Sequence, residues 1–166
     1  MKACRWMICL FGFAAGCASS QSSASRSTGP SPWVGAFKQS QMAAAAVIGP
    51  ATPQRTAAYG NITLTPVESD SSGRVRVELS INASVPPGTQ LGWALFPSPC
   101  GAATPTMAGA QEFPTIEISN SGSGFVRAVM NLRLEPRATY HANVYWSSQI
   151  SDVSNVMMCA NVARAR

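Results

Sequence analysis

The chain predicts an all-β fold, a Greek-key sandwich of about seven antiparallel strands over residues 57–166, and three observations predict it. From Ala57 onward apolar residues recur at every second position, the period of a strand with one face in the core and one in water. Clusters of Gly, Pro, Ser, Asn and Asp arrive roughly every eight to twelve residues, as turns between short strands do. Two cysteines, Cys100 and Cys159, stand far apart in this same stretch, as crosslinking half-cystines do in small exported domains.

The elements follow in order. Ile62 and Leu64 alternate with threonines in a first strand, and residues 69–73 supply the turn that follows. The clearest strand is Arg74-Val75-Arg76-Val77-Glu78-Leu79-Ser80-Ile81: Val75, Val77, Leu79 and Ile81 face one way and the charged residues the other. Val85-Pro86-Pro87-Gly88 ends it, since neither proline can donate a ladder hydrogen bond. Leu91–Phe96 is the third strand, and Phe113–Ser119 the fourth, after a long loop containing Cys100. A turn over Asn120–Gly124 leads into Phe125–Leu134. Thr139–Trp146 and Asn155–Val162, joined by the polar loop Ser147–Ser154, complete the set. About a hundred residues make one domain, large enough for a core and small enough to profit from a crosslink.

The N-terminus has a different character. Lys2 and Arg5 precede the apolar stretch Trp6–Ala15, which has the length of a signal h-region and is too short to span a bilayer. The small residues Ala14, Ala15 and Gly16 lead into Cys17. This run resembles a bacterial lipobox, in which the cysteine thiol is acylated and becomes the mature N-terminus. The resemblance implies a signal peptide over residues 1–16, diacyl or triacyl lipidation at Cys17 with palmitate among the chains, and a lipid anchor in the cell envelope. Ala18 after the cysteine, rather than aspartate, implies the outer membrane in an enteric-type host. Ala14 stands where the family prefers Leu, Val or Ile, which leaves an ordinary signal peptide cut near Ala18 as the alternative. Acyl chains hold a protein at a membrane without a spanning helix.

Residues 17–56 are dominated by Ser, Ala, Gly, Pro and Gln, a composition that buries too little apolar surface to offset chain entropy and therefore reads as a tether. Trp33, Val34, Phe37 and the patch Met42–Ile48 carry apolar bulk within it. Phe37–Ile48 is an alanine-rich candidate for a short helix, although one of that length is marginal alone in water.

In an exported domain Cys100 and Cys159 are expected to pair, and neither has the spacing of a metal site. The segment Val85 to Cys100, V-P-P-G-T-Q-L-G-W-A-L-F-P-S-P-C, resembles a stretch of copper–zinc superoxide dismutase-like and CHRD-like domains, a Pro-Gly turn, a strand with two histidines one residue apart and then a disulfide cysteine. Met157-Met158-Cys159-Ala160-Asn161-Val162 is similar to their closing strand, and Tyr140–Trp146 to the one before it, where some relatives place an Asn-Val-His triplet. The resemblance spans roughly residues 59–162 and implies an immunoglobulin-like or superoxide-dismutase-like sandwich. It does not carry over the metal site. Ala94 and Phe96 occupy the two histidine positions, and Tyr145 follows Asn143 and Val144. With His141 the only histidine of the chain, one copy cannot assemble a site of three or four imidazoles. No metal ligand and no cofactor is assigned.

No catalytic residue is assigned either. His141 is opposite in phase to Tyr140, Ala142, Val144 and Trp146, which predicts that it faces solvent or a polar rim. The acidic residues Glu68, Asp70, Glu78, Glu112, Glu117, Glu135 and Asp152 fall singly, so no close pair suggests glycoside hydrolysis. No Gly-x-Ser-x-Gly elbow exists. Two binding alternatives remain open. Met107, Met130, Met157 and Met158 with His141 could hold Cu(I), since soft ligands select that ion, but adjacent Met157 and Met158 point to opposite faces and methionine is also an ordinary core filler. Tyr145 and Trp146, beside the polar loop, could form an aromatic platform for an envelope glycan or another envelope protein.

The formal net charge of +5 falls when the signal is removed, leaving a modestly basic chain. Arg74, Arg76, Arg127 and Arg133 sit at alternating strand positions and could line one outer face toward an anionic surface. Nucleic acid is not an expected partner in this compartment. The sequence thus predicts a non-catalytic, envelope-associated module: a membrane contact through its lipid and a ligand it does not name.

Overall fold

Alternation governs every strand but those that lie beneath the long loop. The computed structural model describes residues 30–40, 57–67, 73–150 and 155–166; the signal segment, Cys17 and the patch 42–48 lie outside the described residues. Among these, nine strands form: β1 (Trp33–Gln39), β2 (Ala58–Pro66), β3 (Arg74–Ala83), β4 (Gln90–Leu91), β5 (Trp93–Phe96), β6 (Ile116–Glu117), β7 (Ser123–Asn131), β8 (Tyr140–Tyr145) and β9 (Val156–Arg164). Seven of them make one curled sheet in the order β5-β8-β9-β1-β2-β3-β7, and β4 pairs with β6 in a small second sheet. All pairings are antiparallel.

The small sheet joins the two ends of the large one. An isolated bridge pairs Ile118 with Gly124 of β7, and β4 runs through Gly92 into β5. The spatial run β3-β7-β6-β4 is a Greek key: β4, β6 and β7 follow one another as neighbours, and β7 returns to lie beside β3. The all-β sandwich expected from the sequence is the fold observed.

The interior follows from which residues face inward. Val75, Val77, Leu79 and Ile81 of β3 are buried, as are Ile62 and Leu64 of β2 and Val126 and Met130 of β7. Trp93, Leu95, Tyr140, Ala142, Val144, Met158, Ala160 and Val162 complete the core from the other half of the sheet. Burial of each large aliphatic side chain is worth about 1.5–3 kcal/mol. Trp93 also donates its Nε1–H to the carbonyl of Pro114 at 2.8 Å and meets Phe113 edge-on, ring centroids 4.9 Å apart.

Two readings are corrected. Residues 33–39, assigned by composition to the tether, form β1, which pairs with β2 on one side and β9 on the other. Trp33 and Phe37 point inward and are buried, while Val34, Ala36 and Lys38 are exposed. The period of two was present, but Ser-, Gly- and Pro-rich neighbours outweighed it. The short helix over Phe37–Ile48 loses its first turn to this strand. The sheet therefore includes a strand upstream of Ala57, Trp33–Gln39.

The third strand, expected as continuous over Leu91–Phe96, is divided at Gly92. The Gly92 N–H donates to Ser147 O at 2.7 Å, and a Cβ at this position would lie 2.9 Å from Ser148 O. Gly92 turns the chain from its pairing with β6 to its pairing with β8.

Candidate functional site

The face where the family resemblance would place a metal is the outer face of β5, β8 and β9. In register, Ala94 lies beside Asn143 and Phe96 beside His141, while Asn143 lies beside Cys159 and His141 beside Asn161. These side chains project away from the core that Trp93, Leu95, Ala142 and Val144 face.

Alternation predicts that such a face meets water, yet every residue of β5 and β8 is buried. The cover is the long loop after β5. Cys100 in that loop is disulfide-bonded to Cys159 of β9, with Cα atoms 6.1 Å apart. Cys100 N–H donates to Asn161 Oδ1 at 2.8 Å, and Met107 N–H donates to Leu95 O at 2.9 Å. The loop is thus tied to the last strand by a covalent bond and a hydrogen bond, and to the edge of β5 by another.

His141 sits beneath it. The phase expected from the sequence is right, since the ring projects from the outer face, but the environment is not a polar rim: the residue is 1% exposed. Its Nδ1–H donates to Ser98 O at 2.7 Å, with Ser98 Oγ 3.3 Å from the same nitrogen. Ser98 Oγ in turn shares a 2.7 Å hydrogen bond with Thr104 Oγ1. The imidazole stacks on Phe96, centroids 4.6 Å apart and planes 7° from parallel. Burial holds the His141 pKa below the ordinary imidazole value, and the Ser98 carbonyl opposes that shift only in part. The neutral ring is the favoured form, and its Nδ1 is committed to the loop.

Tyr145 lies on the same face. It is 2% exposed, and burial raises its pKa, partly offset by a hydrogen bond with the Asn143 side chain. So Tyr145 presents no ring face to a ligand. Trp146, half-buried against the core, donates its backbone N–H to Asn155 O at 3.1 Å.

The residues present do not fit the copper and zinc centre of the resembled family. Ala94 and Phe96 offer no donor atom, and among the described residues no group of three His, Cys, Asp or Glu side chains comes together. The methionines are dispersed. Met158 faces the core from β9 and Met130 from β7, Met157 is buried at the register shift of β9, and Met107 lies in the loop. The participants that the sequence did not single out are Ser98, Thr104 and Asn161. Ser98 carried a faint signal in Ser-Pro-Cys before the half-cystine, whereas Thr104 and Asn161 carried none.

A second surface is open. On the outer face of β3 and β7, Arg76 lies beside Val129, Glu78 beside Arg127 and Ser80 beside Phe125. Of the four arginines the sequence places at alternating positions, Arg74 and Arg76 lie on β3 and Arg127 on the neighbouring β7, whereas Arg133 lies beyond the end of that strand. Arg127 Nε contacts Glu78 Oε1 at 2.9 Å, and its guanidinium carbon stands 5.4 Å from the Phe125 ring centroid. Phe125 is 55% and Val129 54% exposed.

No protein-family model matches the chain, and no curated protein is similar to it. The fold and the two faces therefore define a class by themselves: a disulfide-tied Greek-key β-sandwich with one outer face sealed by its own loop and another left open.

Proposed function

We propose that the chain is a non-catalytic envelope lipoprotein: a binding or structural β-sandwich module of the superoxide-dismutase-like or CHRD-like kind, carried on a tether from an acylated Cys17 and held at the outer membrane. The observation that carries this reading is the sealed face. The positions where the resembled enzymes hold metal are filled by Ala94, Phe96 and Tyr145 around a neutral His141 whose Nδ1 binds the covering loop. The disulfide from that loop to the last strand supports the resemblance. The open outer face of β3 and β7, with exposed Phe125, Val129 and arginines, supports binding to another envelope component. The lipid-anchor part rests on residues 2–18 of the sequence.

The test uses full-length protein from membranes of a Gram-negative host. The expected result is an acylated Cys17 N-terminus by intact mass, a deficit of two hydrogens for the Cys100–Cys159 bond, and neither bound copper nor superoxide turnover. A free N-terminus refutes the anchor. Stoichiometric copper or turnover refutes the non-catalytic reading.

A further inference from the structure

The two ends of the large sheet are finished differently. At β5 the outer edge is occupied, because Leu95 O already accepts from Met107 N–H. At β7 it is open. In an antiparallel pair the N–H and C=O of one residue point to the same side and alternate along the strand. Leu132 N–H donates to Gly73 O on the β3 side, so the even positions face β3. Ser123 O accepts from Ser119 N–H on the opposite side, so the odd positions face away. The backbone groups of Phe125, Arg127, Val129 and Asn131 therefore point outward. The Ile118–Gly124 bridge sets Glu117 of β6 opposite Phe125, so the unpaired edge runs from Arg127 to Asn131, about 14 Å of strand, and has no backbone partner among the described residues.

Free edges of this kind are normally blunted by proline, lysine, a bulge or an inward charge. Between Gly124 and Asn131 β7 has no proline, no lysine and no inward charge, Arg127 being its one charged residue, and its register with β3 is unbroken from Asn131 to Ser123. Its side chains at the outward positions run apolar, cationic, apolar: Phe125, Arg127, Val129. Arg76, beside Val129 on β3, has no ion pair among the described residues, and Glu78 is already engaged by Arg127. Two guanidiniums, Arg76 and Arg127, thus stand against the one carboxylate of Glu78, which leaves this part of the sheet net positive.

We infer that the free edge of β7 receives an extended peptide segment of a partner protein as an added strand, with an acidic side chain opposite Arg127 and an apolar side chain opposite Val129. Main-chain hydrogen bonds supply the affinity of such an addition and alternate side chains its specificity. A second copy is the less complementary occupant, because it brings the same net positive charge to the edge. This inference deepens the binding-module reading and rests on it.

The test titrates full-length, detergent-solubilised protein against a fluorescent seven-residue peptide, Thr-Val-Thr-Glu-Thr-Val-Thr, and its counterpart with Lys for Glu, read by anisotropy. The acidic peptide is expected to bind at least tenfold tighter than the basic one. Arg127→Glu reverses that preference. Val129→Pro removes an N–H that no bond among the described residues uses, so it abolishes binding while circular dichroism and the melting temperature stay near those of the parent. Should Val129→Pro fail to fold, the Arg127→Glu reversal decides alone. Equal affinity for both peptides, absence of binding, or binding retained by a folded Val129→Pro overturns the inference. Concentration-dependent dimerisation that Val129→Pro abolishes overturns the choice of occupant. None of these results bears on metal content or lipidation, so failure here and failure of the proposed function are distinguishable.

Discussion

Removing the disulfide tests how the sealed face is kept shut. Cys100 and Cys159 are 59 residues apart in sequence, and closing a loop of that size lowers the entropy of the unfolded chain by an amount worth about 4 kcal/mol at 25 °C in the chain-entropy model. The double variant Cys100→Ala/Cys159→Ala is expected to lose stability of that order, measured by urea denaturation, with a fall in melting temperature on the order of 15 °C. A second consequence is local. The same bond ties down the loop whose Ser98 carbonyl meets His141, so the variant admits water to the imidazole and its pKa, followed by NMR, moves toward the ordinary value of about 6.5. The two readouts separate two roles. A stability loss with an unchanged His141 pKa would mean that Ser98, Thr104 and Met107 hold the loop without the covalent tie. A loss under about 1 kcal/mol would refute the entropic argument itself.

Stability is expected to depend on pH through His141. Its folded pKa is lowered, so the unfolded chain binds the proton more tightly. The contribution of the neutral ring is complete above the unfolded value near 6.5 and is lost as pH falls toward the folded one, with a slope of up to about 1.4 kcal/mol per pH unit. Denaturation midpoints that fall between pH 7 and 5 in the parent and lose that component in His141→Gln are the expected result; identical profiles refute it. Gly60→Ala is expected to destabilise by about 2 kcal/mol or more, because its Cβ would meet Ser80 O and lie 2.9 Å from Ile81 Cα, backbone that cannot move aside cheaply. Trp93→Phe is expected to cost more than Trp33→Phe in the same assay. Trp93 loses its bond to Pro114 O, whereas the buried Trp33 Nε1 has no hydrogen-bond partner among the described residues to lose; an equal or reversed order refutes the comparison.

Much of the sandwich was legible because its strands obey simple alternation. β3 shows this best: its buried odd positions match the pattern of Arg74–Ile81 residue for residue. β1 was missed because only Trp33 and Phe37 mark its inner face, and the position between them is Gly35, where a Cβ would lie 2.8 Å from Asn161 O. A close approach of two backbones needs a glycine, and that glycine erases the apolar mark by which a strand is recognised. β8 failed in the opposite way. Its phase was read correctly, but phase reports only which side of the sheet a residue leaves from, not what covers that side.

That distinction separates the two faces in function. The His141 face and the Arg127 face are both outer faces by periodicity, and the sequence gives them similar polar and aromatic content. What distinguishes them is a contact about forty residues away in the chain, Ser98 to His141, made possible by a crosslink between a loop and the last strand. The loop shields one polar face from solvent and occupies the neighbouring edge of β5, whereas nothing comparable lies over Phe125, Arg127 and Val129 among the described residues. A sandwich that seals one edge and one face with its own chain leaves the other edge as the place where main-chain hydrogen bonding is still available. For that reason the search for a partner belongs at β7 rather than at the histidine.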